Sequence, residues 1–152
     1  MKNLLLFISL FLFVYPVFSQ ITISEDGIYQ DEKGNLYTGT YTEFYANGNK
    51  KIELNLIDGK KSGTVTLYFE TGNVNEIRSY SEGVMDGEWT TYNETGIKTA
   101  KALYKKDKKD GQWLIWDEKG TLRYEMYYAD GNKTGVWKMW DETGVLTSEK
   151  KY

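Results

Sequence analysis

The chain has no cysteine and no histidine, and a single proline in 152 residues. Without cysteine there is no disulfide, no thiolate-held metal and no lipid-bearing cysteine at a processed N-terminus. With histidine also missing, Ser-His-Asp and Cys-His nucleophilic machinery is excluded. A zinc ion would need all-oxygen ligation. An excess of basic charge is absent too: the formal net charge is −3, so the electrostatic footprint of a nucleic-acid-binding domain is missing and no nucleic-acid partner is expected. No glycine-rich phosphate loop leads into a helix. Carboxylates are plentiful, but Glu94, Glu118 and Glu142 recur at turn positions, where solvent exposure explains them. The acidic loop Asp107 to Asp110 holds two lysines between its acids, which argues against calcium. These absences lead us to expect a non-catalytic protein with no cofactor and no metal.

What the chain has is aromatic residues, at 16%, and 15 glycines. That balance belongs to strands joined by tight turns. The N-terminus stands apart. Lys2 precedes an apolar run from Leu4 to Val14 broken only by Ser9, and Val17 and Ser19 sit at −3 and −1 before Gln20. The run is short of the roughly 20 apolar residues of a spanning helix. Residues 1–19 therefore read as a cleavable signal peptide cut after Ser19. The mature chain is expected to be secreted or periplasmic, with no stable transmembrane anchor.

Beyond it lies a repeat. Gly39, Gly63, Gly87, Gly111 and Gly135 recur every 24 residues, and so do Gly48, Gly72, Gly96, Gly120 and Gly144. A fixed period of this size signals a repeat architecture. The repeats run 39–62, 63–86, 87–110, 111–134 and 135–152, and residues 20–38 form a partial leading repeat that caps the array. Apolar spacing is 2 rather than 3.6, which excludes helices within the repeats. The fold class is all-β: an elongated, single-layer antiparallel meander of tandem β-hairpins, with ten or eleven strands.

Counting each repeat from its opening glycine as offset 0, offsets 8 and 9 are expected to form a two-residue hairpin loop, and offsets 20 to 23 a four-residue connection. Offset 2 then pairs with 15 and offset 4 with 13. Offset 17 pairs with offset 2 of the following repeat, as in Leu56–Val65, Tyr80–Trp89, Tyr104–Trp113 and Tyr128–Trp137. Offsets 2, 4, 11, 13, 15 and 17 share an apolar face, which in the fourth repeat is Trp113, Ile115, Leu122, Tyr124, Met126 and Tyr128. Offsets 1, 3, 5, 12, 14 and 16 make a polar face with one exception. Offset 5 is always aromatic: Phe44, Tyr68, Tyr92, Trp116 and Trp140. Either a bulge or the adjacent turn gives these rings cover, or they form an exposed ladder at roughly 9.5 Å, twice the strand spacing. Arg123 at offset 12 is placed across from Trp116, within reach of a guanidinium–ring stack. These six residues are the candidate ligand- or partner-binding positions.

The pattern Tyr-x-x-x-Gly followed by Gly-x-Trp-x-x-Tyr-x-x-x-Gly, carried by Tyr80–Gly96 and again by Tyr128–Gly144, resembles the MORN repeat variant family. The resemblance extends over about residues 27–152. Bacterial members are often labelled antitoxin components of toxin–antitoxin systems. What it implies is a non-catalytic β-hairpin repeat protein acting through binding. Asp107 stands where the repeats otherwise have a loop glycine, and Leu56 where later repeats have tyrosine.

A one-sided aromatic sheet leaves an apolar face to be covered, and such a patch marks an interaction surface. The leading expectation is an interaction scaffold for a protein, an envelope component or another copy of the chain, with its oligomeric state open. The alternative is a carbohydrate- or envelope-binding protein whose offset-5 rings stack on sugars.

Overall fold

A computed structural model describes residues 21–152. The expected signal peptide and its expected cleavage site after Ser19 lie outside the described residues. Thirteen strands account for the described fold. Two short ones come first: β1 (Thr22–Ile23) and β2 (Tyr29–Gln30). They pair with each other antiparallel. Then follow β3 (Gly39–Phe44), β4 (Lys50–Ile57), β5 (Lys60–Tyr68), β6 (Val74–Ser81), β7 (Val84–Tyr92) and β8 (Lys98–Lys105). The last five are β9 (Lys108–Lys109), β10 (Gly111–Trp116), β11 (Leu122–Ala129), β12 (Asn132–Trp140) and β13 (Leu146–Lys151). Strands β3 to β13 form one 11-stranded antiparallel sheet in sequence order, with the two-residue β9 paired to β8 off the main path. The ends β3 and β13 do not pair with each other, so the sheet is an open meander.

The repeat backbone follows from its glycines, though with the two turns exchanged relative to expectation. The tight turn is at offsets 19 and 20: Asp58-Gly59, Glu82-Gly83, Lys106-Asp107 and Asp130-Gly131 all have positive φ at both residues. Two successive left-handed residues make the I′ turn, whose twist matches that of the flanking strands. The closing pairs are Ile57↔Lys60, Ser81↔Val84, Lys105↔Lys108 and Ala129↔Asn132. Asp107 takes the glycine's place at φ 64, and its Oδ1 accepts the Met85 N–H at 2.7 Å.

The connection holding the offset-9 glycine is the longer one. It spans offsets 6 to 10 and is organised by a side chain. Oδ1 of Asn93, Asp117 and Asp141 accepts the backbone N–H two and four residues later, at 2.9 to 3.1 Å. This is the Asx-type closure that favours Asn and Asp at loop starts. These hydrogen bonds from Thr121 and Lys119 hold the Asp117 carboxyl below its ordinary range.

The longer loop forces a bulge. Offsets 2↔15 and 4↔13 pair as expected: Tyr41↔Leu54 and Glu43↔Ile52 in the first repeat. The ladder then slips, so that offset 5 meets offset 11: Phe44↔Lys50, Tyr68↔Val74, Tyr92↔Lys98, Trp116↔Leu122 and Trp140↔Leu146. Offset 12 is the extra residue, a β-bulge recurring in every repeat. The slip moves offset 11 to the polar-face side with offset 5, and turns offset 12 toward offset 4. Thr99 Oγ1 lies 2.9 Å from Thr91 Oγ1, and Lys51 Nζ 3.5 Å from Glu43. The face assignments of offsets 11 and 12 are thus corrected.

A second slip follows offset 15. The residue beside Val65 is Leu54, not Leu56, and the residue beside Trp89 is Arg78, not Tyr80. Tyrosine at offset 17 instead sits opposite the opening glycine of its own repeat, as in Gly87↔Tyr104 and Gly111↔Tyr128.

The buried core lies at the N-terminal end of the apolar face. Leu54, Leu56, Val65 and Tyr29 form it, with Ile21, Tyr37, Tyr41, Ile52, Leu67 and Tyr80 packed around. Tyr29 belongs to the leading segment, which folds over this face. Its N–H donates to the Gly59 carbonyl at 2.9 Å, Gly59 N–H donates to the Tyr37 carbonyl at 2.8 Å, and its ring meets Tyr41 edge-on at 5.5 Å.

Gly59 is the point where this cover seals the sheet. A Cβ there would lie 2.7 Å from both Ile28 Cγ2 and the Tyr29 carbonyl oxygen, whereas a Cβ at Gly131, in the equivalent turn, meets nothing within 4 Å. Both residues have positive φ, which costs an L-residue roughly 1–2 kcal/mol. Gly131→Ala is therefore expected to lose only about that, and Gly59→Ala clearly more, with faster proteolysis of residues 21–37 in limited digestion. Equal melting shifts for the two would contradict this packing.

Tyr41, beneath the cover, has its hydroxyl pushed up to about 12 by burial and by its hydrogen bond to Glu43. A raised folded-state value means the folded chain favours the neutral phenol. This contribution is complete below the ordinary value of 10.0 and is lost as pH climbs from there through about 12. Tyr41→Phe is expected to flatten the alkaline fall in melting temperature over that window; an unchanged fall would count against a buried Tyr41 hydroxyl.

Candidate functional site

Beyond the leading segment no described residue covers the same face. It carries a continuous row of rings contributed alternately by offsets 2 and 17. Neighbouring ring centroids lie 5.3 Å apart for Trp89–Tyr104, 5.2 Å for Tyr104–Trp113, 5.3 Å for Trp113–Tyr128, 5.2 Å for Tyr128–Trp137 and 4.7 Å for Trp137–Tyr152. The ring contacts expected for Tyr104–Trp113 and Tyr128–Trp137 exist, reached diagonally because the tyrosine faces a glycine. Tilted rings at this separation suit the quadrupoles of aromatic pairs. Two of the indoles are fixed further: Trp113 Nε1 and Trp137 Nε1 each donate at 3.0 Å to the carbonyls of Leu103 and Tyr127.

Lysines lie on this row in register. Lys109 Nζ is 4.3 Å from the Trp113 ring centre and 4.9 Å from Tyr128. Lys133 repeats the arrangement at 4.4 Å over Trp137 and 4.9 Å over Tyr152. Both occupy offset 22, as does Lys61 over Tyr80. Cation–π attraction is worth about 0.5–1 kcal/mol at an exposed site, a modest bias of each ammonium toward its ring. Where the row begins, Arg78 takes over this role: its guanidinium lies 4.6 Å from the Trp89 ring and 2.6 Å from the buried Glu76 carboxylate.

Exposure rises along the array. Leu54 and Val65 are 1% and 2% exposed, whereas Tyr124, Met139 and Tyr152 on the same face reach 40%, 38% and 43%. Between these ends lies a hollow of about 170 Å³, floored by Ala100 and Ala102 and walled by Trp89, Tyr104, Trp113 and Ile115.

The offset-5 residues fall on the other face, at the bulge. Phe44 is 53% exposed; Tyr68, Tyr92, Trp116 and Trp140 are half-buried. Tyr92 borders a shallow depression with Asn73, Val74, Ile77 and Thr95, and a second with Phe69, Thr99 and Glu118. The structure does not bring Arg123 across from Trp116. Leu122 holds that place, and Arg123, the bulged residue, donates from Nε to the Trp140 carbonyl at 2.9 Å and lies 3.6 Å from Asp117. It clamps neighbouring repeats together. Among the described residues no carboxylates gather in a metal-binding group.

The sequence profile of the MORN repeat variant family matches residues 37–58, 61–82, 85–106, 109–130 and 133–152. The chain belongs to the MORN repeat variant family. The five matches begin two residues before the opening glycines and recur with the same period, so each family unit holds one hairpin of the meander. No curated protein matches the chain. MORN repeats are generally non-catalytic and often serve in binding.

Proposed function

We propose that this MORN repeat variant protein is a non-catalytic interaction scaffold that works outside the cytoplasm, binding a partner protein through the uncovered part of its aromatic face. The observation that carries this is the contrast along one face: the leading segment covers the first two repeats, and no described residue covers the ring row from Trp89 to Tyr152. A patch of this kind, apolar with cationic margins, is what protein interfaces use at their centres. The apolar run at residues 4–14 supports export. Export also separates the protein from a conventional cytoplasmic toxin partner, so the antitoxin role attached to some relatives is not part of this reading.

The test pairs fractionation with capture. The mature chain, beginning at Gln20, is expected in the periplasmic or secreted fraction. Immobilised mature chain is expected to retain an envelope protein that a Lys133→Glu, Trp137→Ala double variant does not retain. Cytoplasmic retention of the full-length chain, or a monomer whose capture is unaffected by the double variant, would defeat the proposal.

A second reading rests on Tyr92 and its two flanking depressions on the opposite face. There the row Phe44, Tyr68, Tyr92, Trp116 and Trp140 would stack on an envelope glycan, with Arg123 bracing the row. Titration of peptidoglycan fragments against tryptophan fluorescence tests it: a change abolished by Trp116→Ala supports this face, and no change removes it.

A further inference from the structure

We infer that the hollow over Ala100 and Ala102 is an anchor pocket for an acidic peptide segment of the partner protein, one that inserts a single bulky apolar side chain; this rests on the scaffold reading above. The pocket exists because the third repeat departs from its neighbours. At offsets 13 and 15 the first repeat has Ile52 and Leu54, the second Glu76 and Arg78, and the fourth Tyr124 and Met126; the third has two alanines. In register, Ala102 faces Trp89, and Ala100 lies between Thr91 and Ile115. Small residues on the floor with large rings as walls leave about 170 Å³ lined almost wholly by apolar surface. Pockets that take one apolar anchor are where interface energy concentrates.

The chain supplies its own template for the occupant. On the same face, two repeats earlier, the leading segment seats Tyr29 against Leu54, Leu56 and Val65. That segment is acidic around its anchor, reading Ser-Glu-Asp-Gly-Ile-Tyr-Gln-Asp-Glu over residues 24–32, and Lys61 borders the seat. Lys109, Lys133 and Lys150 border the open part. They form no ion pair among the described residues, whereas Glu76, one strand beyond Thr91 on this face, is buried and paired with Arg78. A protein of net charge −3 thus turns an unpaired cationic margin toward whatever lies on this face. Charge complementarity selects an acidic segment and speeds its arrival.

The experiment selects a 12-residue phage-displayed peptide library on the immobilised mature chain. The selected peptides are then measured against Ala102→Leu and Ala100→Ile. The expected winners carry several acids and one Trp, Tyr, Leu or Ile. They should bind either variant at least tenfold more weakly, and Lys109→Glu severalfold more weakly, with affinity falling as salt rises. Both substitutions restore residues that other repeats hold at the same offsets, so melting is expected to stay near the parent. Selection of no peptide, of peptides without acids, or of peptides that bind Ala102→Leu as well as the parent would overturn the inference. So would loss of folding in both variants, because larger residues would then not fit these positions. Capture that depends on Lys133 and Trp137 but survives Ala102→Leu would leave the scaffold reading standing and remove only the pocket.

Discussion

Leu54→Ala is expected to cost about 2–5 kcal/mol, the range for large-to-small changes in a sealed core. Leu54 is 1% exposed. It is held from below by its ladder partners Tyr41 and Val65 and from above by the leading segment. Its cavity has no easy way to collapse, because the sheet beneath is fixed by backbone pairing on both sides. The loss should appear as a lower midpoint in chemical denaturation, with residues 21–37 released first. Repeat arrays lose stability locally, since each unit contacts only its neighbours. Hydrogen exchange in β10 to β13 should therefore change less than in β3 to β5. A Leu54→Ala variant within about 0.5 kcal/mol of the parent would mean that the leading segment does not pack there.

Trp113→Ala is expected to cost about 3 kcal/mol, at the lower end of the range for deleting a large ring because the ring is half-buried. It removes ring contacts to Tyr104 and Tyr128, a bond to the Leu103 carbonyl and the seat of Lys109. Trp140→Ala, equally aromatic but in the last hairpin, should cost about 1 kcal/mol, the centre of ordinary substitutions. Among the described residues its ring makes no ring–ring contact, and its backbone carbonyl, which alanine keeps, still accepts from Arg123. Denaturation curves showing equal losses would place the two rows on an equal structural footing and contradict the division drawn between them.

Much of this fold was legible in the residues because glycine and period-2 alternation act locally. The unbroken spacing of Gly39 to Gly135 forces identical hairpins, and identical hairpins have one simple way to pair. The pairings Tyr41↔Leu54 and Glu43↔Ile52 followed from alternation alone. The exchange of the two turns did not, although it left a mark. Asn93, Asp117 and Asp141 recur at offset 6, where an Asx-closed loop begins, and residues such as Asp58 and Asp130 before glycine tolerate the left-handed region that an I′ turn needs. The invariant glycine at offset 9 mimics a tight-turn signal and masks both. One misplaced turn shifts the ladder by a residue, so offsets 11 and 12 changed sides and Arg123 left Trp116.

The site was harder to see for a different reason. Ala100 and Ala102 are unremarkable as two small residues in a strand. They become a pocket only because the first repeats are covered and the third is not, and cover depends on where Tyr29 lands. That contact joins residues 25 apart in the chain at Leu54, with no local signal to announce it. The offset-5 rings drew notice because they broke the face rule. They lie at the bulge on the polar face, where four of the five are half-buried.

The division of one face into a covered and an open part is tested most directly by hydroxyl-radical footprinting of the free chain from Gln20 onward at low concentration. Tyr124, Met139 and Tyr152 should be modified rapidly, and Tyr29, Leu54 and Val65 slowly. Protection of Tyr124 and Met139 to the level of Tyr29 in the unbound chain would mean that the C-terminal repeats already carry their own cover, and the open binding face would not exist.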